Sequence, residues 1–285
     1  MNRMKKFLGF ALILVLSIAL AACGNDNKDN QDEKAADNVE GNTTLKVGAS
    51  NTPHAVILEE AKPLLKEKGI DLEIVPFQDY VLPNKTLAEG ELDANYFQHI
   101  PYLESQIAEN GYDFVNAGGI HIEPIAIYSK KYKNLSELPK GATLIMSSSV
   151  ADHGRALSLL EANGLITLKE GIDKTKATVE DIVENKRDIK FEAKYEASLL
   201  PEIYANGEGD AVLINSNYAI DAGLNPIEDS IAIEDSKSPY VNVIAVNKKD
   251  ENNEAIKTLV EVLRSKEIQD FITKEFKGAV VPVSK

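Results

Sequence analysis

The chain has 285 residues, and 31 Lys and Arg against 45 Asp and Glu give it a formal charge of −14. That length suggests about two domains, with a core large enough to need no disulfide or metal staple, and its single cysteine rules out an intrachain disulfide. The acidic balance excludes a phosphate-backbone partner, so no nucleic acid is expected, and the lack of Trp with only 6% aromatics argues against a carbohydrate-stacking platform.

Residues 1–22 carry Arg3, Lys5 and Lys6 and no acid, and 7–22 are apolar apart from Gly9 and Ser17. A basic start followed by an apolar run is the layout of a secretory signal, and the run is shorter than the ~20 residues a membrane-spanning helix needs. Leu20-Ala21-Ala22-Cys23 looks like a bacterial lipobox: small residues at a cleavage site, then the only cysteine, lipidated on sulfur as the first residue of the mature protein. Residues 24–43 are rich in Asn, Asp, Glu and Lys and cannot bury enough apolar surface to offset ordering entropy, so they read as a disordered tether. The charge divides as +3 in the signal, −4 in 24–43 and −13 beyond.

From Leu45 the pattern alternates. Leu45–Ala49 reads as a strand, Thr52 as the N-cap and Pro53 as the first residue of a helix bearing Ile57, Leu58, Ala61, Leu64 and Leu65. Pro63 should bend that helix, and Gly69 ends it. A strand at 72–77, a short helix at 84–90, a strand from Asp93, a helix over 101–110 stopped by Gly111 and a long β-rich run over 120–128 complete a β-α-β-α-β-α-β block. A second alternation follows: strand 142–147, helix 152–163, strand 189–193, helix 197–206, buried strand 211–214 and helix 215–222. Strand 241–246 and one or two amphipathic helices over 251–277 close the chain.

Such alternation implies mixed sheets covered on both faces. The predicted fold is α/β and two-lobed, with a ligand cleft between the lobes. The organisation is signal 1–22, lipidated Cys23 and tether 23–43, lobe 1 from 44–128 and 243–285, and lobe 2 from 129–242. In open α/β sheets ligands sit outside the carboxyl ends of strands, which directs attention to Tyr80, Phe97 and His99. Ser147-Ser148-Ser149 lead into a helix whose free N–H groups could seat an anion. Arg155 gains nothing from the dipole there, so either a carboxylate partner or one of the many surface acids accounts for it. Asn215 and Asn242 are polar groups beside apolar strands and need partners; Asn215 could also simply cap the next helix.

Two other chemistries are weighed. Ser149 and His153 are four apart, but no G-x-S-x-G elbow accompanies them. His54, His99, His121 and His153 lack any His-x-x-x-His spacing, which leaves a metal-ion receptor as an alternative only. No cofactor and no catalysis are expected.

Read together, Tyr80, Asp93-Ala94-Asn95-Tyr96-Phe97-Gln98-His99, Gly154-Arg155-Ala156-Leu157, Val212-Leu213-Ile214-Asn215 and Ser238-Pro239-Tyr240-Val241-Asn242 strongly resemble the methionine-binding lipoproteins of bacterial ABC importers, the NLPA lipoprotein family. The likeness covers the lipobox and 45–285. It implies a periplasmic-binding-protein fold of type II, and a monomer anchored by lipid outside the cytoplasm. It also implies delivery of methionine or a close derivative to an ABC permease and its ATPase. Carried over residue by residue, it implies Tyr80, Phe97, His99, Arg155, Asn215 and Asn242 as ligand contacts. In that picture Arg155 forks an α-carboxylate, the Asn215 and Asn242 oxygens accept from an α-ammonium, and the Tyr80 and Phe97 rings receive a thioether. Ser148 and Ser149 stand where the family usually has an Asn, so they are expected in the pocket lining, with L-methionine, D-methionine, the sulfoxide or a Met-containing dipeptide all as fitting ligands.

Overall fold

The computed structural model describes residues 42–283; the expected signal, the lipidated Cys23 and nearly all of the expected tether lie outside it. The tether's last residue, Thr43, opens the first strand. In chain order the first block is β1 (Thr43–Ser50), α1 (Val56–Glu67), β2 (Ile70–Phe77), α2 (Leu82–Ala88), β3 (Ala94–His99), α3 (Ile100–Asn110) and β4 (Phe114–Ile122). The second is β5 (Ala126–Tyr128), β6 (Thr143–Ser147), α4 (Val150–Ala162), β7 (Ile166–Leu168), β8 (Ile182–Asn185), β9 (Lys190–Tyr195), α5 (Leu200–Ala205), β10 (Ala211–Ile214), α6 (Ser216–Asp221) and β11 (Ala232–Ile233). The chain then returns through β12 (Val241–Asn247), α7 (Glu254–Leu263), α8 (Lys266–Phe276) and β13 (Val281–Pro282).

These strands build two mixed sheets, in the orders β13-β4-β12-β3-β1-β2 and β11-β5-β10-β6-β9, with β7 and β8 as a separate ribbon. The pattern is the same in both. Parallel strands flank the centre, and the strand delivered by a crossing segment inserts antiparallel: β12 between β3 and β4, and β5 between β10 and β11. Each sheet buries apolar side chains on both faces. Leu45, Val47, Ile57, Leu259 and Ile272 pack beneath the first, Leu87, Leu103 and Phe114 above it, and Leu157, Leu160 and Leu213 against Ile145, Val212 and Ile214 across the second.

Three expectations change. The 120–128 run is not one strand: it breaks at Glu123–Ile125, and Ala126–Tyr128 pairs with β10 of the second sheet, so the crossing comes before Tyr128 rather than after it. On the return, Val241 and Asn242 already pair with β4 of the first sheet. Thr52 caps nothing. It is extended (φ −128°, ψ 136°), as the residue before a proline prefers, and regular helix starts at Val56 after an irregular turn over Asn51–Ala55. Pro63 does not break α1, because it and Glu59 lie on the exposed face, where water can satisfy the carbonyl that loses its donor.

A β-bulge decides what β3 presents. Val243 pairs with Gln98 and Ile244 with Tyr96, which leaves Phe97 as an extra residue. The parity of facing therefore flips, and Asn95 and Gln98, three apart, meet on one side. There they form a buried carboxamide trio with Asn84. Asn84 Oδ1 accepts from Asn95 Nδ2 at 2.9 Å and Gln98 Nε2 at 2.8 Å, and Asn84 Nδ2 donates to Gln98 Oε1 at 3.0 Å. Two of the five residues of the conspicuous Asn-Tyr-Phe-Gln-His motif, Asn95 and Gln98, thus serve to fix the strand.

Gly154, in the helix that carries Arg155, allows another close approach. A Cβ there would lie 2.2 Å from the Lys174 carbonyl oxygen, and backbone cannot swing aside as a side chain can. Gly154→Ala should destabilise the protein by about 1–3 kcal/mol in urea titration; wild-type stability would mean that the 174–176 turn is free to move off α4.

Candidate functional site

The carboxyl ends of the central strands meet across a small cavity, and all six residues singled out as ligand contacts line it. Tyr80 follows β2; Phe97 and His99 lie in and at the end of β3. Arg155 is on α4, Asn215 follows β10, and Asn242 opens β12. Asn242 lies directly opposite His99 on one side and His121 on the other, so one row across three strands forms part of the wall. Ser148 and Ser149 are not in this lining. They border an outer depression beside Val150, because the Ser148 N–H is held by the Tyr195 carbonyl at 2.8 Å. Ser147 is the serine turned inward, donating to Asp152 Oδ2 at 3.4 Å.

Four of these side chains already have protein partners. Arg155 does not offer its fork freely: Nη2 donates to Glu234 Oε2 at 2.5 Å and to the Glu123 carbonyl at 2.7 Å, and Nε reaches Glu234 Oε1 at 3.4 Å. Its guanidinium also lies over the Tyr240 ring, 4.5 Å from the centroid. The Nη1 edge, 4.0 Å from Asp152, is what remains for a ligand. His99 is likewise engaged. Nδ1 accepts the Tyr102 N–H at 3.1 Å and caps α3, so Nε2 carries the proton and donates to Asp152 Oδ1 at 3.1 Å across the cleft. Asn215 makes no side-chain cap on α6; its Nδ2 donates to Asp152 Oδ2 at 3.2 Å, which leaves Oδ1 unused. Asn242 Oδ1 already accepts from His54 Nε2 at 3.1 Å.

The apolar end is an aromatic cluster. The Tyr80 ring centroid lies 6.0 Å from Phe97, 5.9 Å from Tyr102 and 5.0 Å from Tyr218. Tyr80 also bridges the lobes, its hydroxyl donating to Asn217 Oδ1 at 2.6 Å, while the Tyr218 hydroxyl donates to the Gln78 carbonyl at 3.2 Å. His153, which a nucleophile pair would aim at Ser149, donates instead to the Ser147 carbonyl at 3.0 Å.

Sequence reasoning missed the acids. Glu123, Asp152 and Glu234 are all near-buried, with Glu123 and Asp152 in the lining itself. A signal existed for Glu123, a charge amid an apolar run in His121-Ile122-Glu123-Pro124. Asp152 hid as an unremarkable acid in a helix's first turn, and Glu234 gave no sign. Nor did spacing reveal that His54 and His121 meet. Their ring centroids are 5.0 Å apart, and both Nε2 atoms converge on Glu123 Oε1, at 3.2 Å and 2.8 Å. The Tyr96 hydroxyl bonds His121 Nδ1. Burial holds the imidazoles neutral, lowering His54 to about 4, against partial support from Glu123, and His121 to about 3. Burial also raises the Glu123 carboxyl above its ordinary range, while His54 and Arg155 pull the other way. At Asp152 burial is outweighed by the hydrogen bonds from His99 and Asn215 and the charge of Arg155, which together hold the carboxyl below its ordinary range.

The model of the NlpA lipoprotein family matches residues 45–284. The chain belongs to the NlpA lipoprotein family. Members of this family are substrate-binding proteins, not enzymes. Methionine-binding lipoprotein MetQ of Bacillus subtilis is 50% identical over 98% of this chain and 99% of its own length. Among solved NlpA-like structures, a pheromone cOB1 precursor/lipoprotein of the YaeC family from Enterococcus faecalis superposes with a TM-score of 0.83 at 58% identity, over 85% of this chain and all of that one. A nutrient-binding protein from Burkholderia cenocepacia, solved bound to methionine, gives a TM-score of 0.78 at 42% identity over 84% of this chain and 99% of its own. The two-lobed type II architecture expected of an NlpA lipoprotein is thereby shown. Among the described residues no helix is long and apolar enough to cross a membrane.

The buried imidazoles give this NlpA lipoprotein an acid-labile fold. Unfolded, both histidines take up protons near 6.5; folded, they stay neutral to about 4 and about 3. The unfolded state therefore binds more protons through that window, and stability falls as pH drops from 6.5 toward 4, at up to about 1.4 kcal/mol per pH unit for each histidine. Glu123, protonated earlier in the folded state, offsets part of the loss. Denaturant titrations at pH 7 and 4.5 should show the fall; equal stability at both would mean the histidines are charged in the folded protein.

Proposed function

We propose that this lipoprotein captures methionine or a close derivative outside the cytoplasm and delivers it to an ABC permease and its ATPase, held to the membrane by lipid on Cys23. The observation that carries the reading is the composition of the cavity between Tyr80, Phe97, Arg155 and Asn215. A buried guanidinium and the unused Asn215 oxygen stand at one end, and a cluster of aromatic rings stands at the other, which suits a zwitterionic head and a polarizable thioether. The methionine-bound Burkholderia relative and the Bacillus methionine-binding lipoprotein support the same reading.

One observation favours a second reading, a metal-ion receptor: His54, His121 and Glu123 bring three ligand atoms within 4.8 Å of one another. The His121–Glu123 hydrogen bond and the packing of His54 against His121 already account for that convergence.

Mass spectrometry of protein purified without a ligand-stripping step should find methionine or a methionine derivative. Calorimetry on stripped protein should then give 1:1 binding, which Arg155→Ala weakens by about 2–5 kcal/mol as the ligand carboxylate loses its buried cation. Binding unchanged in a folded Arg155→Ala protein would remove Arg155 from the site, and stoichiometric zinc or manganese with no bound amino acid would favour the metal reading.

A further inference from the structure

We infer that Glu123 accepts the ligand's ammonium group, which makes a free α-amine an entry requirement of the pocket; this rests on the amino-acid reading above. Glu123 stands on the first crossing segment, buried at 6% exposure, with its side chain in the cavity wall. Its carboxyl is fixed from behind. Oε1 accepts from His121 Nε2 at 2.8 Å and lies 3.2 Å from His54 Nε2, whose hydrogen goes to Asn242 Oδ1, and the His121 ring is held in turn by the Tyr96 hydroxyl. Among the described residues no side chain donates to Oε2, and the Asn217 backbone N–H is the further donor beside this carboxyl.

The other charged groups already have hydrogen-bond partners. Asp152 uses both oxygens, on His99, Asn215 and Ser147. Arg155 is the one guanidinium or ammonium in the lining, and its inner edge is covered by Glu234 and the Glu123 carbonyl. Glu123, Asp152 and Glu234 against Arg155 leave the ionised site with two negative charges in excess. Neutral imidazoles orient the Glu123 carboxylate but do not neutralise it, and burial disfavours its ionised form. A ligand ammonium beside Oε2 would supply both the missing charge and a charge-assisted hydrogen bond. It would lie next to the unused Asn215 oxygen if the carboxylate of the same ligand met the free Nη1 edge of Arg155. A ligand with a carboxylate and no amine would add a third negative charge to that excess.

Three probes separate the groups: methionine, 4-(methylthio)butanoate, which lacks only the amine, and N-acetylmethionine, which lacks only the ammonium charge. By calorimetry the wild-type protein should prefer methionine to either analogue by about a hundredfold or more. In Glu123→Gln, whose folding is checked by circular dichroism and thermal melting, methionine should weaken and the preference should shrink below about tenfold. Wild-type affinities for methionine and the butanoate within about threefold would overturn the assignment even if the variant does not fold. So would a folded Glu123→Gln protein that keeps the full preference. Stoichiometric metal lost in His121→Gln while that preference persists would also overturn it. A wild-type protein that binds methionine but does not discriminate fails this inference alone; one that takes up no methionine fails the amino-acid reading and this inference with it.

Discussion

A guanidinium cannot be left alone in a protein interior, and Arg155, 3% exposed, organises the seam between the lobes through the partners it requires. Its donors reach the Glu123 carbonyl on the outgoing crossing and Glu234 on the returning one, with the Tyr240 ring under its plane. One cation on α4 therefore ties both connections to the second lobe. Removing any one of its partners would leave a buried charge short of compensation, an outcome costlier than the pair's net contribution to stability.

The same requirement spreads outward. Asp152, one turn before Arg155, needs donors of its own and takes them from His99 on the opposite lobe and from Asn215 beyond β10. Glu123 needs the two histidines, and they in turn need Tyr96 and Asn242. Buried polar groups are costly when unpaired, so the positions of these side chains, drawn from β3, β4, β12, α4 and the segments between, become mutually determined. A cavity lined this way is preorganised before any ligand enters, which cuts the ordering cost of binding.

Much of this was legible in the chain. Apolar periodicity located most of the long strands and helices, Gly111 and Gly164 marked real helix ends, and the placement of polar residues after strands led to all six lining residues. What periodicity could not give was pairing. Nothing local distinguishes Glu234 from the many surface acids, yet it occupies the fork that a ligand carboxylate was expected to receive. His54 and His121 looked isolated because sequence spacing measures ligand geometry only within one element, and here β1's exit and β4's end are joined by the sheet. The bulge at Phe97 was invisible for the same reason: it is a relation between β3 and β12, not a property of either. The short strands β7, β8, β11 and β13 carry too few residues to display a period.

The bridges His99–Asp152, Tyr80–Asn217 and Tyr218–Gln78 join the lobes using protein atoms alone. Their energetic meaning lies in how a two-state receptor divides its work. Contacts that favour the shut form without ligand raise the fraction of molecules already competent, so less of the intrinsic affinity is lost to the conformational equilibrium. The same contacts lengthen the residence time of whatever is inside, since dissociation must wait for all three to part. Unloading then calls for an agent that prefers the parted lobes, and the stronger the self-made latch, the more differential affinity that agent has to supply.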